Sequence, residues 1–172
     1  MIIDSFDAGA TAFPDRVFVQ GAGLELSYRE AADASHAVAA ALVRDVQPGT
    51  HVAVLYPNHP MVLPAMLGVM RSGAVYVPLN ARDPIEDIVW FARFCDVAVL
   101  ICHEQYASHL ERLRAEIPTL KRVIGLTEPL ESGGHTITQW LKEFAGRRVD
   151  VRREPDDIAL IKSSGGTTGR PK

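Results

Sequence analysis

The sequence has little that would commit it to a specialised setting. Cysteine is scarce: Cys95 and Cys102 are the two present, too few for a disulfide framework and not spaced C-x-x-C. Both read as core thiols of a reducing, cytoplasmic compartment. Neither charge sign dominates, since 18 Lys and Arg stand against 21 Asp and Glu for a net charge of −3. That leaves no basic footprint for nucleic acid or an anionic membrane. No apolar run approaches the ~20 residues that span a bilayer, and residues 1–7 carry acids where a secretory signal carries basic residues. The six histidines, at 36, 51, 59, 103, 109 and 135, include no pair four residues apart. Two imidazoles therefore do not share a helical face, and a protein-bound transition metal is not expected.

What is present is the composition of an ordinary globular protein, 47% hydrophobic and 23% charged over 172 residues, enough for about one domain with a full core. A helix is expected over 4–13, ended by Pro14, and a hairpin over 17–19 and 24–26 around Gly21 and Gly23. Ser27-Tyr28-Arg29-Glu30 has the form of a capping box, with Ser27 as N-cap and Glu30 reaching back. The helix it opens has Ala31, Ala34, Val38, Ala41 and Leu42 as its apolar stripe and ends at Pro48-Gly49. Residues 51–56 form a β-rich run stopped by Pro57-Asn58, and 60–72 a second helix. Residues 74–79 are a continuous apolar strand of the kind buried on both faces of a parallel sheet. Asp83-Pro84-Ile85-Glu86 predicts a helix start with an acidic cap. A strand over 97–102, a helix over 103–116 and a strand over 122–125 follow. Residues 127–135 read as a polar loop, 136–144 as a helix, 146–157 as a solvated connector, and 158–162 as one more strand. This alternation predicts an α/β fold: a largely parallel sheet with helices packed on its faces.

The last ten residues, Ser163-Ser164-Gly165-Gly166-Thr167-Thr168-Gly169-Arg170-Pro171-Lys172, carry the chemistry. Glycines let successive backbone N–H groups converge on one point, hydroxyls add donors, and lysine adds positive charge, a combination suited to a polyphosphate. The G-x-x-x-x-G-K-[ST] loop of ATPases and GTPases is not matched, because Lys172 lies three residues past Gly169 with Pro171 between. The stretch resembles instead the phosphate loop of the adenylate-forming superfamily, [ST]-S-G-[ST]-T-G-x-P-K, which includes acyl-CoA and aryl-CoA synthetases, aryl-AMP ligases and peptide-synthetase adenylation domains. Gly165 stands where serine is usual. Three further stretches resemble family landmarks in the family's order: Leu26-Ser27-Tyr28-Arg29-Glu30, Pro48-Gly49 with Val52-Ala53, and Met70-Arg71-Ser72-Gly73-Ala74-Val75-Tyr76-Val77-Pro78-Leu79-Asn80.

The resemblance implies that residues 1–172 are the amino-terminal α/β portion of an AMP-binding domain, ending in the phosphate loop at 163–172. It implies ATP with Mg²⁺ as substrate, a small carboxylic acid as the group activated, and CoA or a carrier phosphopantetheine as acceptor. Ser163, Ser164, Gly165, Gly166, Thr167, Thr168, Gly169 and Lys172 would bind the phosphates. S-G-G-T-T-G variants occur among aryl-AMP ligases and some acyl-CoA synthetases, which implies an aromatic or small-to-medium acid. The family's adenine- and ribose-binding segments and its small carboxy-terminal domain with the catalytic lysine would lie beyond Lys172. The remainder of the polypeptide is thus the implied partner, no catalytic residue is expected within these 172, and they are expected to be inert alone, with 163–172 more mobile than the strand before it. A non-enzymatic nucleotide-binding or interaction module of the same fold is the alternative. Other polar residues are given structural roles: Tyr28, Tyr56 and Tyr76 as packing residues with solvated hydroxyls, His59 in a helix-entry turn, and Asp156-Asp157 on the surface.

Overall fold

The computed structural model describes residues 2–149 and 151–163. Its elements follow the expected alternation: α1 (Ile2–Ala12), β1 (Val17–Gly21), β2 (Leu24–Ser27), α2 (Tyr28–Leu42), β3 (His51–Tyr56), α3 (Val62–Arg71), β4 (Val75–Asn80), α4 (Ile85–Phe94), β5 (Val99–Cys102), α5 (Leu110–Glu116), β6 (Arg122–Gly125), β7 (His135–Thr136) and α6 (Ile137–Glu143). The two-residue turn of the β1–β2 hairpin has positive φ at both Ala22 and Gly23, the geometry that matches the twist of paired strands. The capping box forms as expected: the Glu30 N–H donates to Ser27 Oγ at 3.2 Å, and Glu30 Oε2 accepts from the Ser27 N–H at 2.8 Å.

The main sheet is parallel, in the order β4-β3-β5-β6-β7. Alternation along each strand sorts the core into two layers. Val52, Val54, Tyr56, Tyr76, Val99, Ile101 and Ile124 face α2, α3 and α6, while Ala53, Leu55, Val77, Leu79, Leu100 and Val123 face α4 and α5. A third cluster, Phe6 with Ala31 and Leu67, gathers Phe18 and Tyr28 around it. The Phe6–Phe18 and Phe18–Tyr28 ring centroids lie 4.9 Å apart, which seats the hairpin on α1 and α2. Helices α2 and α3 cross closely because Gly68 meets Val38 and the Ser35 carbonyl with no side chain between.

Four expectations about the elements need correction. Residues 103–116 are not one helix: a 3₁₀ segment, Glu104–His109, precedes α5. Asp83 does not cap α4, since its carboxylate accepts from Asn80 Nδ2 at 2.6 Å instead. The polar stretch before α6 includes a two-residue strand, β7, whose Thr136 forms a capping box with Gln139.

The fourth concerns 158–162, which is not a full strand but a single parallel bridge, Leu160 to Tyr76, on the outer edge of β4. The Tyr76 N–H donates to the Ala159 carbonyl and the Ile161 N–H to the Tyr76 carbonyl, both at 3.0 Å. The next β4 residue facing that edge is Pro78, which has no N–H to donate, so the ladder stops.

Candidate functional site

In an open parallel sheet, ligands bind beyond the carboxyl ends of the strands, where successive connections leave in opposite directions. Here β3 is flanked by β4 on one side and β5 on the other, so its carboxyl end is that switch point. A cavity of about 740 Å³ opens there, within the size range of small-molecule sites. Its walls are the turn after β3 (Tyr56, Pro57, Asn58, His59, Pro60), the segment after β4 (Asn80, Ala81, Arg82), the segment after β5 (Gln105, Tyr106) and the overhanging hairpin (Val19, Gln20, Gly21). The Tyr106 hydroxyl donates to the Ala81 carbonyl at 3.4 Å and joins two of these walls.

Among the described residues the lining holds four aromatic or imidazole rings, several amides, one cation in the exposed Arg82, and no carboxylate. Such a surface suits a planar, neutral or anionic ligand. Two of these lining rings, Tyr56 and His59, cluster with His103, with centroids 5.8 to 6.3 Å apart. His59 Nδ1 accepts the Met61 N–H at 3.2 Å and His103 Nδ1 accepts the Gln105 N–H at 3.2 Å. An accepting Nδ1 carries no proton, so the neutral His59 ring holds its proton on Nε2. Burial, and then the charge of His103, lowers the pKa of His59. The Tyr56 hydroxyl is buried and has no hydrogen-bond partner among the described residues, contrary to the solvated hydroxyl expected for it. Burial, followed by the Glu104 charge, pushes its pKa up, and burial takes Tyr76 to about 12. Glu104 stands just outside the cluster. Burial alone would raise its pKa, yet the N–H groups of Glu128, at 2.9 Å, and Thr127, at 2.5 Å, hold the carboxyl below its ordinary value.

Of the residues expected to bind phosphate, Ser163 is described and half-buried; 164–172, and the mobility expected of them, lie outside the described residues. The parallel bridge at Leu160 directs the chain through Ser163 toward the same end of β4 at which the cavity opens. His59 does occupy a helix-entry turn, and it also lines the cavity. Sequence reasoning missed the cavity-lining Asn80, Arg82, Gln105 and Tyr106. The available signal was their position, at or within four residues past the ends of parallel strands. Cys95 and Cys102 are buried free thiols, as expected. Asp156 and Asp157 are exposed, as expected. Among the described residues no group of three or more His, Cys, Asp or Glu could hold a metal ion, and no helix is long and apolar enough to cross a membrane.

A parallel α/β sheet with a cavity at its switch point, and a chain that runs past Ser163 into a glycine- and hydroxyl-rich sequence, defines the class of open α/β proteins that bind small molecules beyond the carboxyl ends of their strands. The family model for AMP-binding enzymes matches residues 6–172, and the chain belongs to that family. It is 28% identical over 173 residues to the D-alanine–D-alanyl carrier protein ligase of Listeria monocytogenes serotype 4b (strain F2365), covering 99% of this chain and 32% of that protein. With a dimodular nonribosomal peptide synthase of Bacillus subtilis (strain 168) it shares 26% identity over 170 residues, 98% of this chain and 7% of that protein. Among solved structures, the anthranilate CoA ligase AuaEII in complex with anthranoyl-AMP superposes with a TM-score of 0.89 at 21% identity, over 98% of this chain and 33% of that one. Mycobacterium smegmatis MbtA gives 0.83 at 24% identity, over 100% and 32%. The chain thus spans about a third of the length of the carrier protein ligase and of these two structures, and both superpositions show the same fold.

Proposed function

We propose that this chain is the amino-terminal portion of an ATP-dependent, AMP-forming acid ligase. The observation that carries the reading is that the family match runs through the glycine-rich sequence itself, which the described chain approaches at the carboxyl end of the sheet. In this reading Ser163, Ser164, Thr167, Thr168 and the backbone N–H groups at Gly165, Gly166 and Gly169 hold the β- and γ-phosphates of Mg–ATP. Lys172 offsets the charge that grows on the departing pyrophosphate, as preorganised donors and cations do in phosphoryl chemistry. A carboxylate oxygen of the acid attacks the α-phosphorus, the bond from that phosphorus to the bridging oxygen breaks, and acyl-adenylate and pyrophosphate form. A thiolate of CoA or of a carrier phosphopantetheine then attacks the acyl carbon and releases AMP. Mg²⁺ arrives with the nucleotide.

Gly165 in the place usually held by serine favours an aromatic or other small-to-medium acid, and the two buried free thiols favour a cytoplasmic setting. The test is acid-dependent exchange of labelled pyrophosphate into ATP by the full-length protein across aromatic, short-chain, amino and long-chain fatty acids. Exchange with an aromatic or short acid is expected. Exchange confined to amino or long fatty acids refutes the substrate class. ATP binding with no exchange for any acid refutes the ligase and leaves a nucleotide-binding module.

A further inference from the structure

The stretch that leads into the glycine-rich sequence is held to the sheet by remarkably little backbone, and one side chain supplies what the ladder lacks. On the outer edge of β4, Tyr76 donates to Ala159 and accepts from Ile161, and Pro78 can donate nothing further. On the other side of Tyr76, the Ala74 carbonyl, next in the same outward-facing row, is taken by the Arg153 guanidinium and not by the neighbouring backbone. Arg153 Nη1 donates to the carbonyls of Gly73 at 2.6 Å and Ala74 at 3.1 Å, while Nη2 donates to the Ile158 carbonyl at 2.5 Å. Its side chain is 11% exposed, although it lies in the stretch expected to be a solvated connector. A planar fork of N–H donors bridges two strands in this way more completely than a point charge does.

We propose that Arg153 is a positioning residue that fixes the register of residues 159–161 against Tyr76, and through it the place of Ser163 at the carboxyl end of the sheet, the point from which the phosphate-binding sequence continues. The consequence for ATP rests on the ligase reading; the clamp itself does not. The connector is itself anchored, because the Val151 N–H donates to the Arg71 carbonyl at 2.8 Å and the Val151 side chain packs on Gly73. The guanidinium is thus presented from a fixed backbone, and its reach to Ile158 sets where the next segment starts.

The test is backbone amide hydrogen exchange in the 172-residue chain, comparing the parent with Arg153→Met and Arg153→Lys. Arg153→Met is expected to lower protection of the Tyr76 and Ile161 amides by at least ~10-fold while the amides of β3 and β5 keep theirs; Arg153→Lys recovers part of the loss. Unchanged protection at Tyr76 and Ile161 overturns the proposal, and so does an equal loss across the whole sheet, which reports general stability only. In the full-length protein, Arg153→Met is expected to raise the KM for ATP about tenfold with kcat nearly kept, the signature of a misplaced binding element. Lost amide protection with an unaltered KM overturns the link to the phosphate loop. If the parent protein itself shows no exchange of pyrophosphate, the ligase reading fails and the amide measurement still decides the clamp.

Discussion

Gly68→Ala tests whether the contact between α2 and α3 is as close as the fold requires. A methyl built at Gly68 would lie 2.6 Å from both Cβ and Cγ1 of Val38 and 2.8 Å from the Ser35 carbonyl oxygen, against about 3.5–4.0 Å for an ordinary contact between carbon atoms. Two of the three obstacles are backbone or backbone-attached atoms, so no rotamer change removes them and the helices must separate. Overpacking of this kind costs about 1–3 kcal/mol, and replacing a glycine inside a helix returns about 1 kcal/mol. With no rotamer change to relieve the clash, the cost falls in the upper part of that range, about 2–3 kcal/mol, so the net expectation is a loss of about 1–2 kcal/mol, read as a lower urea midpoint at unchanged slope. Val38→Ala deletes Cγ1 but leaves Cβ and the Ser35 carbonyl in place, so the double variant is expected to stay less stable than Val38→Ala alone. A Gly68→Ala protein as stable as the parent refutes the reasoning, because it would mean that α2 and α3 slide apart at little cost. The separation reaches the site as well, since α3 begins at Val62 and its first turn, Val62 and Leu63, lines the cavity.

Stability should fall with mild acid. Burial, followed by the charge of Arg71, lowers the pKa of His36, and burial lowers that of His59. A depressed histidine contributes stability that is present above the unfolded value of about 6.5 and is lost as pH falls from there through the folded value. Urea midpoints between pH 7.5 and 5 should drop, and His36→Gln should flatten the drop; an equal slope in the variant sinks the assignment. Carboxylates with lowered pKa, such as Glu104, act in a separate and more acid window. The thiols should be inert in the native chain at pH 8: burial, then the Asp96 charge, raises Cys95, and burial, then Glu104, raises Cys102 to about 12. Reaction of either with a disulfide reagent at the rate of the urea-unfolded chain contradicts that.

The sequence by itself determined the class of fold and most of its elements, because the signals concerned are local. Alternating apolar runs and capped amphipathic stretches are written in neighbouring residues, and the Ser27–Glu30 box and the stripe of α2 formed where the spacing put them. The likeness of the glycine-rich sequence to a family loop was legible for the same reason. Strand order is not local. Only the folded chain placed β3 between β4 and β5, and that order is what brings His59, Arg82 and Tyr106 from three separate connections to one cavity. Buried charge and edge pairing were equally out of reach. Arg71 reads as one more basic residue near a helix end, yet it is fully buried against Ser35 and Asp7. The proline in β4 was visible, but its effect on residues 158–162 depends on which edge they meet. Arg153 reads as part of a solvated run until the carbonyls of Gly73, Ala74 and Ile158 are seen to converge on it. Contacts between residues about 80 positions apart, such as Arg153 with Gly73, leave no periodic trace in the sequence, and only the packing of helices on a sheet of fixed order brings them within hydrogen-bonding reach.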